Sequence, residues 1–173
     1  MSFVYLDTET TGLDPNRHEV WEIAYTIDDQ WIRSQIVNHT LMDADAKALE
    51  IGGHTARCNV ISHPADHYRD FELDLQSALR SRTLVGANPA FDAAFLRERW
   101  NYTPWKYRLL DIEAYAMPYL GLDEPRGLAY IAEQLEIQAP DHTAAGDVHT
   151  LRECHRKLRR LYDDALCKQV GLS

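Results

Sequence analysis

The chain has 173 residues, 45% of them hydrophobic, which is enough for one globular domain, 1–173, that buries most of its unfolded surface without disulfide staples. No stretch approaches the roughly 18 apolar residues a membrane span needs, so no membrane association is expected. The net charge of −9 argues against a nucleic-acid partner, because phosphate binding usually requires a basic surface. That objection weakens if several carboxylates hold metal and the basic residues are clustered. The three cysteines, Cys58, Cys154 and Cys167, are an odd number without metal-ligand spacing. They fit a reduced, cytoplasmic protein. The chain enters its first strand almost at once, so no signal peptide is expected.

Phe3-Val4-Tyr5-Leu6 is an apolar run of β formers that feeds into Asp7-Thr8-Glu9-Thr10-Thr11-Gly12-Leu13. Asp14 to His18 carries turn residues. Val20 to Ile27 reads as a second strand, and Asp28-Asp29-Gln30 turns tightly into a third over Trp31 to Val37. Three strands joined this closely predict an antiparallel meander with the first strand inside the sheet. Residues 43–50 read as a short helix stopped by Gly52-Gly53. His54 to Asp66 reads as irregular. His63 and His67 are four apart, but Pro64 lies between them and no third ligand is evident, so surface histidines are expected there.

From Tyr68 to Ser81, Phe71, Leu75, Ala78 and Leu79 fall at helical spacing. Thr83 to Ala87 reads as a short buried strand. Asn88-Pro89 then suits an N-cap followed by the first helical position, with Phe91, Phe95 and Leu96 facing the core. Arg97 to Arg108 interleaves Trp100, Tyr102, Trp105 and Tyr107 with basic residues. Leu109 to Ile112 predicts a strand that leads into a helix through Met117. Pro125 to Leu135 reads as a helix with Leu128, Ile131 and Leu135 on one face. A last long helix is expected from about Thr143 to Tyr162, with Val148, Leu151, Leu158 and Leu161 as its stripe. The whole reads as one α/β domain, a mixed sheet with helices on its faces.

Three places concentrate acid chemistry. On a strand, residues i and i+2 share a face, so Asp7 and Glu9 sit side by side. Two like charges about 4 Å apart repel by roughly 4 kcal/mol at an effective dielectric of 20. A hard divalent cation with oxygen ligands would offset that; an edge strand running out into a polar turn is the plainer alternative. Asp92 falls in the first turn of the helix after the Thr83–Ala87 strand. His142 and Asp147, five apart, match one helical face poorly. They fit better with His142 in the loop after Pro140 and Asp147 in the first turns of the last helix, an arrangement suited to a mobile base beside a fixed metal ligand.

These stretches, Asp7 to Leu13, Asn88 to Leu96 and His142 to Asp147, resemble in order and spacing the three motifs of the DEDDh-type 3′–5′ exonucleases, the family of the proofreading subunit of bacterial replicative DNA polymerase. The resemblance spans about Phe3 to Leu161. It implies a ribonuclease H-like mixed five-stranded sheet flanked by helices and two divalent cations, Mg²⁺ or Mn²⁺. Asp7 would bridge both ions, with Glu9, Asp92 and Asp147 completing their shells and His142 taking a proton from the attacking water. It also implies that the Thr10 backbone and the Leu13 side chain hold the terminal nucleotide, with Leu13 wedged between the last two bases, and that Asn88 and Phe91 line the same groove. For Leu13 and Phe91 the alternative is core packing.

One departure is Gly146, where many members carry a second acid that is not a ligand. The expected substrate is the 3′ end of single-stranded DNA. RNA 3′-end trimming and a catalytically silent nucleic-acid-binding module are the alternatives. Arg152, Arg156, Lys157, Arg159 and Arg160 could track a phosphate backbone, or form a solvated face. The aromatic residues of Arg97–Arg108 could stack single-stranded bases, or pack on the body. Only 26 residues follow Asp147, so a stand-alone nuclease is expected, or one docked on a polymerase or another replication or repair protein through an unidentified surface.

Overall fold

The computed structural model describes residues 2–58 and 67–169. Five strands form one sheet: β1 (Phe3–Thr10), β2 (Val20–Ile27), β3 (Arg33–Ile36), β4 (Thr83–Gly86) and β5 (Leu110–Asp111), in the order β3-β2-β1-β4-β5. The first strand is central, as its apolar run predicts. β2 and β3 complete an antiparallel meander with it, while β4 and β5 add on in parallel. The sheet is mixed because the first turns after β1 and β2 are short, whereas β4 and β5 are each reached through helices.

The helices are α1 (Ala46–Ile51), α2 (His54–Cys58), α3 (His67–Leu79), α4 (Pro89–Trp100), α5 (Ile112–Leu120), α6 (Leu128–Gln134) and α7 (Ala144–Gln169). β1 alternates between two cores, as a central strand must. Val4 and Leu6 face Leu75, Leu79, Phe95 and Leu96 of α3 and α4. Tyr5 faces Ile112, Ile131, Val148, Leu151 and Leu158 of α5, α6 and α7. Helices therefore cover both faces, and the sheet's edges lie at β3 and β5.

Four details differ from the sequence reading. The stretch after Gly53 forms helix α2 before the chain reaches His63, which lies outside the described residues. The buried stripe of α7 continues through Cys154 and His155 to Leu158, but Leu161 is exposed, because α7 outruns the body it packs on. Trp31 and Ile32 precede β3, whose paired residues begin at Arg33. Asn88 adopts a left-handed conformation, φ 56°, and its side chain does not cap α4. Its N–H instead donates to Asp111 Oδ1 at 3.2 Å.

β1 and β4 differ in length, and that difference builds the site. The two run paired from Phe3–Thr83 to Tyr5–Val85. β4 then ends at Gly86, and the chain turns into α4. A Cβ on Gly86 would lie 2.9 Å from Pro89 Cβ, so glycine lets the helix fold back this closely. β1 continues past that point with one edge open, carrying Asp7, Thr8 and Glu9 beyond the end of its neighbour.

Candidate active site

The open edge of β1 leaves the Thr8 N–H without a strand partner, and buried backbone donors must be paired. Asp92, in the first turn of α4, supplies the acceptor. Its Oδ1 takes the Thr8 N–H at 2.9 Å and the Thr8 hydroxyl at 2.7 Å. The carboxylate is thereby fixed at the strand end, with its second oxygen free of the pair. α4 also directs its N-terminal dipole here, which favours negative charge.

Asp147 arrives from the other face. It lies in the first turn of α7, where its Oδ1 accepts the N–H groups of Asp141 and His142 at 3.1 and 3.2 Å. Those bonds tie the loop to the helix it precedes. His142 sits in that loop, exposed and in a left-handed conformation, φ 58°, so the division expected between a loop histidine and a helix aspartate is present. Gly146 has a local cause: a Cβ there would lie 2.1 Å from Asp141 Oδ1. Glycine at 146 thus leaves room for the Asp141 carboxylate from the loop.

Asp7 and Glu9 each feel the charges of Asp92 and Asp147. Asp7 retains some accessible surface but is ringed closely by protein. Burial, then Asp92, Asp147, Glu9 and Glu22, holds its carboxyl well above the usual range. Burial, then Glu22 and Asp147, pushes Glu9 up to about 8 against the opposing Arg57. Burial pushes Asp92 up to about 7 despite its bonds from Thr8. Asp147 is raised by burial, partly offset by the two N–H groups it accepts. Four carboxylates gathered where none is fully solvated form an all-oxygen donor set, which fits hard divalent cations and not zinc.

Two residues of this region carry no recognisable motif. Glu22 is directly across from Glu9 in the β1–β2 ladder and only 4% exposed. It accepts the Ala144 N–H at 3.1 Å and the Ser34 hydroxyl at 3.0 Å, and it pairs with Arg57. Glu22 thus anchors the start of α7 to the sheet, and Arg57 on α2 brings a positive charge to the acid cluster. The signal available in the sequence was a lone acid inside the apolar run Val20–Ile27.

The expected substrate contacts divide. Leu13 is 77% exposed, beside a turn in which the Thr10 hydroxyl donates to the Gly12 carbonyl at 2.7 Å; core packing is therefore not its role. Thr10 itself is buried. Asn88 keeps its side chain out of the helix cap. Phe91 is half-buried, packed on Phe95 with ring centroids 4.8 Å apart.

The basic segments lie elsewhere. Trp100 and Trp105 pack against the α3–α4 core, and the Lys106 N–H bonds to the Arg82 carbonyl at the start of β4, the end opposite the acids. On α7, Arg152 bonds to the Gln30 carbonyl, Arg156 pairs with Asp29 and Glu153, and Lys157 bonds to the Leu135 carbonyl. These three serve as internal ties.

Comparison with protein-family models and with curated protein sequences finds no match. Solved structures match in fold. S. pombe Pop2p, in a Mg²⁺- and Mn²⁺-bound form, superposes with a TM-score of 0.66 at 15% identity, over 94% of this chain and 84% of that one. E. coli exonuclease I in complex with a 5cy-dT13 oligonucleotide gives 0.68 at 16% identity, over 98% of this chain and 42% of that one. Exonuclease I from Methylocaldum szegediense gives 0.67 at 19% identity, over 92% and 40%. The chain thus spans most of Pop2p and less than half of the exonuclease I chains. At these identities the likeness is one of fold, a ribonuclease H-like mixed five-stranded sheet flanked by helices.

Proposed function

We propose that the protein is a 3′–5′ exonuclease that uses two divalent cations, Mg²⁺ or Mn²⁺, and releases nucleoside monophosphates from the 3′ end of single-stranded nucleic acid, DNA before RNA. The observation that carries this reading is the convergence of Asp7, Glu9, Asp92 and Asp147 at the open end of the central strand, with His142 on the loop that Asp147 holds. The fold shared with Pop2p and exonuclease I supports it.

In this reading Asp7, Glu9, Asp92 and Asp147 would hold the ions. Four carboxylates could share two divalent ions, an arrangement that serves both the attacking and the leaving oxygen of an in-line displacement. When bound, such ions neutralise charge on the scissile phosphate and its leaving oxygen and make the attacking water more acidic. His142, on the loop that Asp147 holds, would accept that water's proton as general base. Its exposed position lets it follow the substrate, while its backbone N–H stays on Asp147. Leu13 presents an apolar edge on which the terminal base can rest, next to the Thr10 backbone. Asn88 and Phe91 flank the start of α4 on the same side.

The test is a time course with Mn²⁺ on 5′-labelled single-stranded DNA, duplex DNA and RNA of one sequence. The expected result is a ladder that shortens from the 3′ end fastest on single-stranded DNA and stops in excess EDTA. Turnover undiminished in EDTA, or internal cuts without a ladder, overturns the reading. A faster ladder on RNA redirects it to RNA 3′-end trimming.

A further inference from the structure

A second cluster of metal-ligating side chains stands apart from the carboxylates and has different chemistry. His39 follows β3, and His54 and Cys58 lie four apart on α2, one helical turn and the same side. Their ligand atoms all fall within 4.8 Å of one another. His39 Nε2 and His54 Nε2 are 2.8 Å apart. His39 Nδ1 lies 2.8 Å from the Val37 carbonyl, which can only accept. Nδ1 therefore carries the proton, and Nε2 turns its lone pair towards His54. A backbone carbonyl that fixes the tautomer in this way is the usual outer support of a metal-ligating histidine. Trp21 packs edge-on against His54 at 5.0 Å and limits where its ring can turn.

We propose that His39, His54 and Cys58 form a zinc site of two imidazole nitrogens and one thiolate, with a fourth position for water, separate from the carboxylate cluster. The donor set decides the metal: nitrogen and sulfur suit Zn²⁺, whereas Mg²⁺ and Mn²⁺ prefer oxygen. The adjustment required is small. Ligand bonds of about 2.0–2.1 Å to nitrogen and 2.3 Å to sulfur in a tetrahedron place the two nitrogens about 3.3 Å apart and sulfur about 3.6 Å from each. The histidines part by about half an ångström, and Cys58 swings in. On binding, Cys58 releases its proton to solvent and His54 carries its own on Nδ1.

The position of this site gives it a role. It staples the segment after β3 to α2, and α2 carries Arg57, which pairs with Glu22 and lies over Trp21 at 5.0 Å. Gly52, just ahead of α2, abuts the catalytic end so closely that a Cβ there would lie 2.7 Å from Glu9 Oε2. Zinc would thus brace the wall against which Glu9 rests. α2 has only five residues, too few to hold its shape by helix propensity alone.

The site stands on its own geometry and not on the nuclease reading, and cobalt spectroscopy tests it without any substrate. The full chain, stripped of metal, is titrated with Co²⁺. The expected result is a thiolate-to-cobalt charge-transfer band and strong four-coordinate visible bands that saturate at one equivalent. One equivalent of Zn²⁺ should erase them, and excess Mg²⁺ should not. Cys58→Ser should remove the charge-transfer band, and His39→Ala should weaken Co²⁺ binding at least tenfold. Asp92→Asn should leave the spectrum unchanged. A wild-type chain without the thiolate band overturns the site, as does a band that survives Cys58→Ser or disappears with Asp92→Asn. If Cys58→Ser fails to fold, the wild-type titration with Zn²⁺ competition still decides.

Discussion

One face of one strand carries two opposite solutions to buried polarity. Near the start of β1, the Tyr5 hydroxyl and His155 Nδ1 lie 2.8 Å apart. Phe3 and Tyr115 meet the imidazole edge to face, at 5.1 and 5.4 Å. From two positions on, Asp7 and Glu9 face the like charges of Asp92, Asp147 and Glu22, with Arg57 the one cation that opposes them at Glu9. The same helix, α7, covers both ends. In the first the polar groups are few and partnered, and His155 is kept neutral, its imidazole pushed down to about 4 by burial. In the second, carboxylates are pushed up first by burial and then, for Asp7 and Glu9, by the like charges around them. Partnered polarity of the first kind belongs to the architecture. Unanswered charge of the second kind favours a bound cation, as the proposed nuclease would hold there.

The contrast can be broken at either end. The largest effect should come from Asp92→Asn, which keeps an oxygen acceptor for the Thr8 N–H but removes the negative charge and the second oxygen. Turnover should fall to background, while unfolding in EDTA shows no loss of stability, because one repelling charge is gone. Activity near wild type would mean that Asp92 serves only to cap the strand edge. His142→Ala should reduce kcat by about 10²–10⁴-fold, the range of a lost general base, with the melting temperature unchanged; a change within a factor of two would assign the proton to another group.

Acid should act on the two ends in opposite directions. The folded pKa of His155 lies below its unfolded value of about 6.5, so below that pH the unfolded chain binds the extra proton. Stability from this residue is present above about 6.5 and is lost as pH falls towards 4, by about 3 kcal/mol in all. For Glu9 and Asp92 the folded values lie above the unfolded ones, so the folded chain binds more protons. Their contribution is present at low pH and is lost as pH rises from about 4 through 7 to 8. Denaturant unfolding in EDTA across pH 4–8 should therefore show both limbs. His155→Leu should flatten the acidic limb, and saturating Mn²⁺ the other. A profile unaltered by either would mean that neither the buried histidine nor the acids couple their protonation to folding. The smallest effect is Tyr5→Phe, which takes the partner from His155 and should cost about 1–2 kcal/mol without altering hydrolysis.

Much of this was legible in the residues. The apolar run into Asp7-Thr8-Glu9 identified a central strand ending in paired acids, because strand periodicity is strict and two carboxylates two apart need no tertiary knowledge to be seen as neighbours. Asp92 and Asp147 were legible as first-turn residues from the Asn-Pro signal and from the loop after Pro140. Glu22 and Arg57 were not. Glu22 meets Glu9 only through the register of β1 on β2, and Arg57 reaches it from a five-residue helix whose local sequence carries too little periodicity to announce it. His39 was equally silent, since its partners on α2 are 15 and 19 residues away in the chain. The Trp100–Tyr107 stretch shows the reverse problem. Aromatic and basic residues in alternation read the same whether they stack bases or close a core, and the tryptophans turn inward.

The early end of β4 has one more consequence. Had β4 run two residues further, its backbone would have paired with Thr8, and the strand edge would have been closed by carbonyls that bind nothing else. Asp92 would then have no hydrogen bond to hold it in place, and α4 would begin too far along to reach the other acids. The candidate site is in that sense an interrupted sheet: the missing rungs of a ladder are filled by a side chain that has an oxygen to spare.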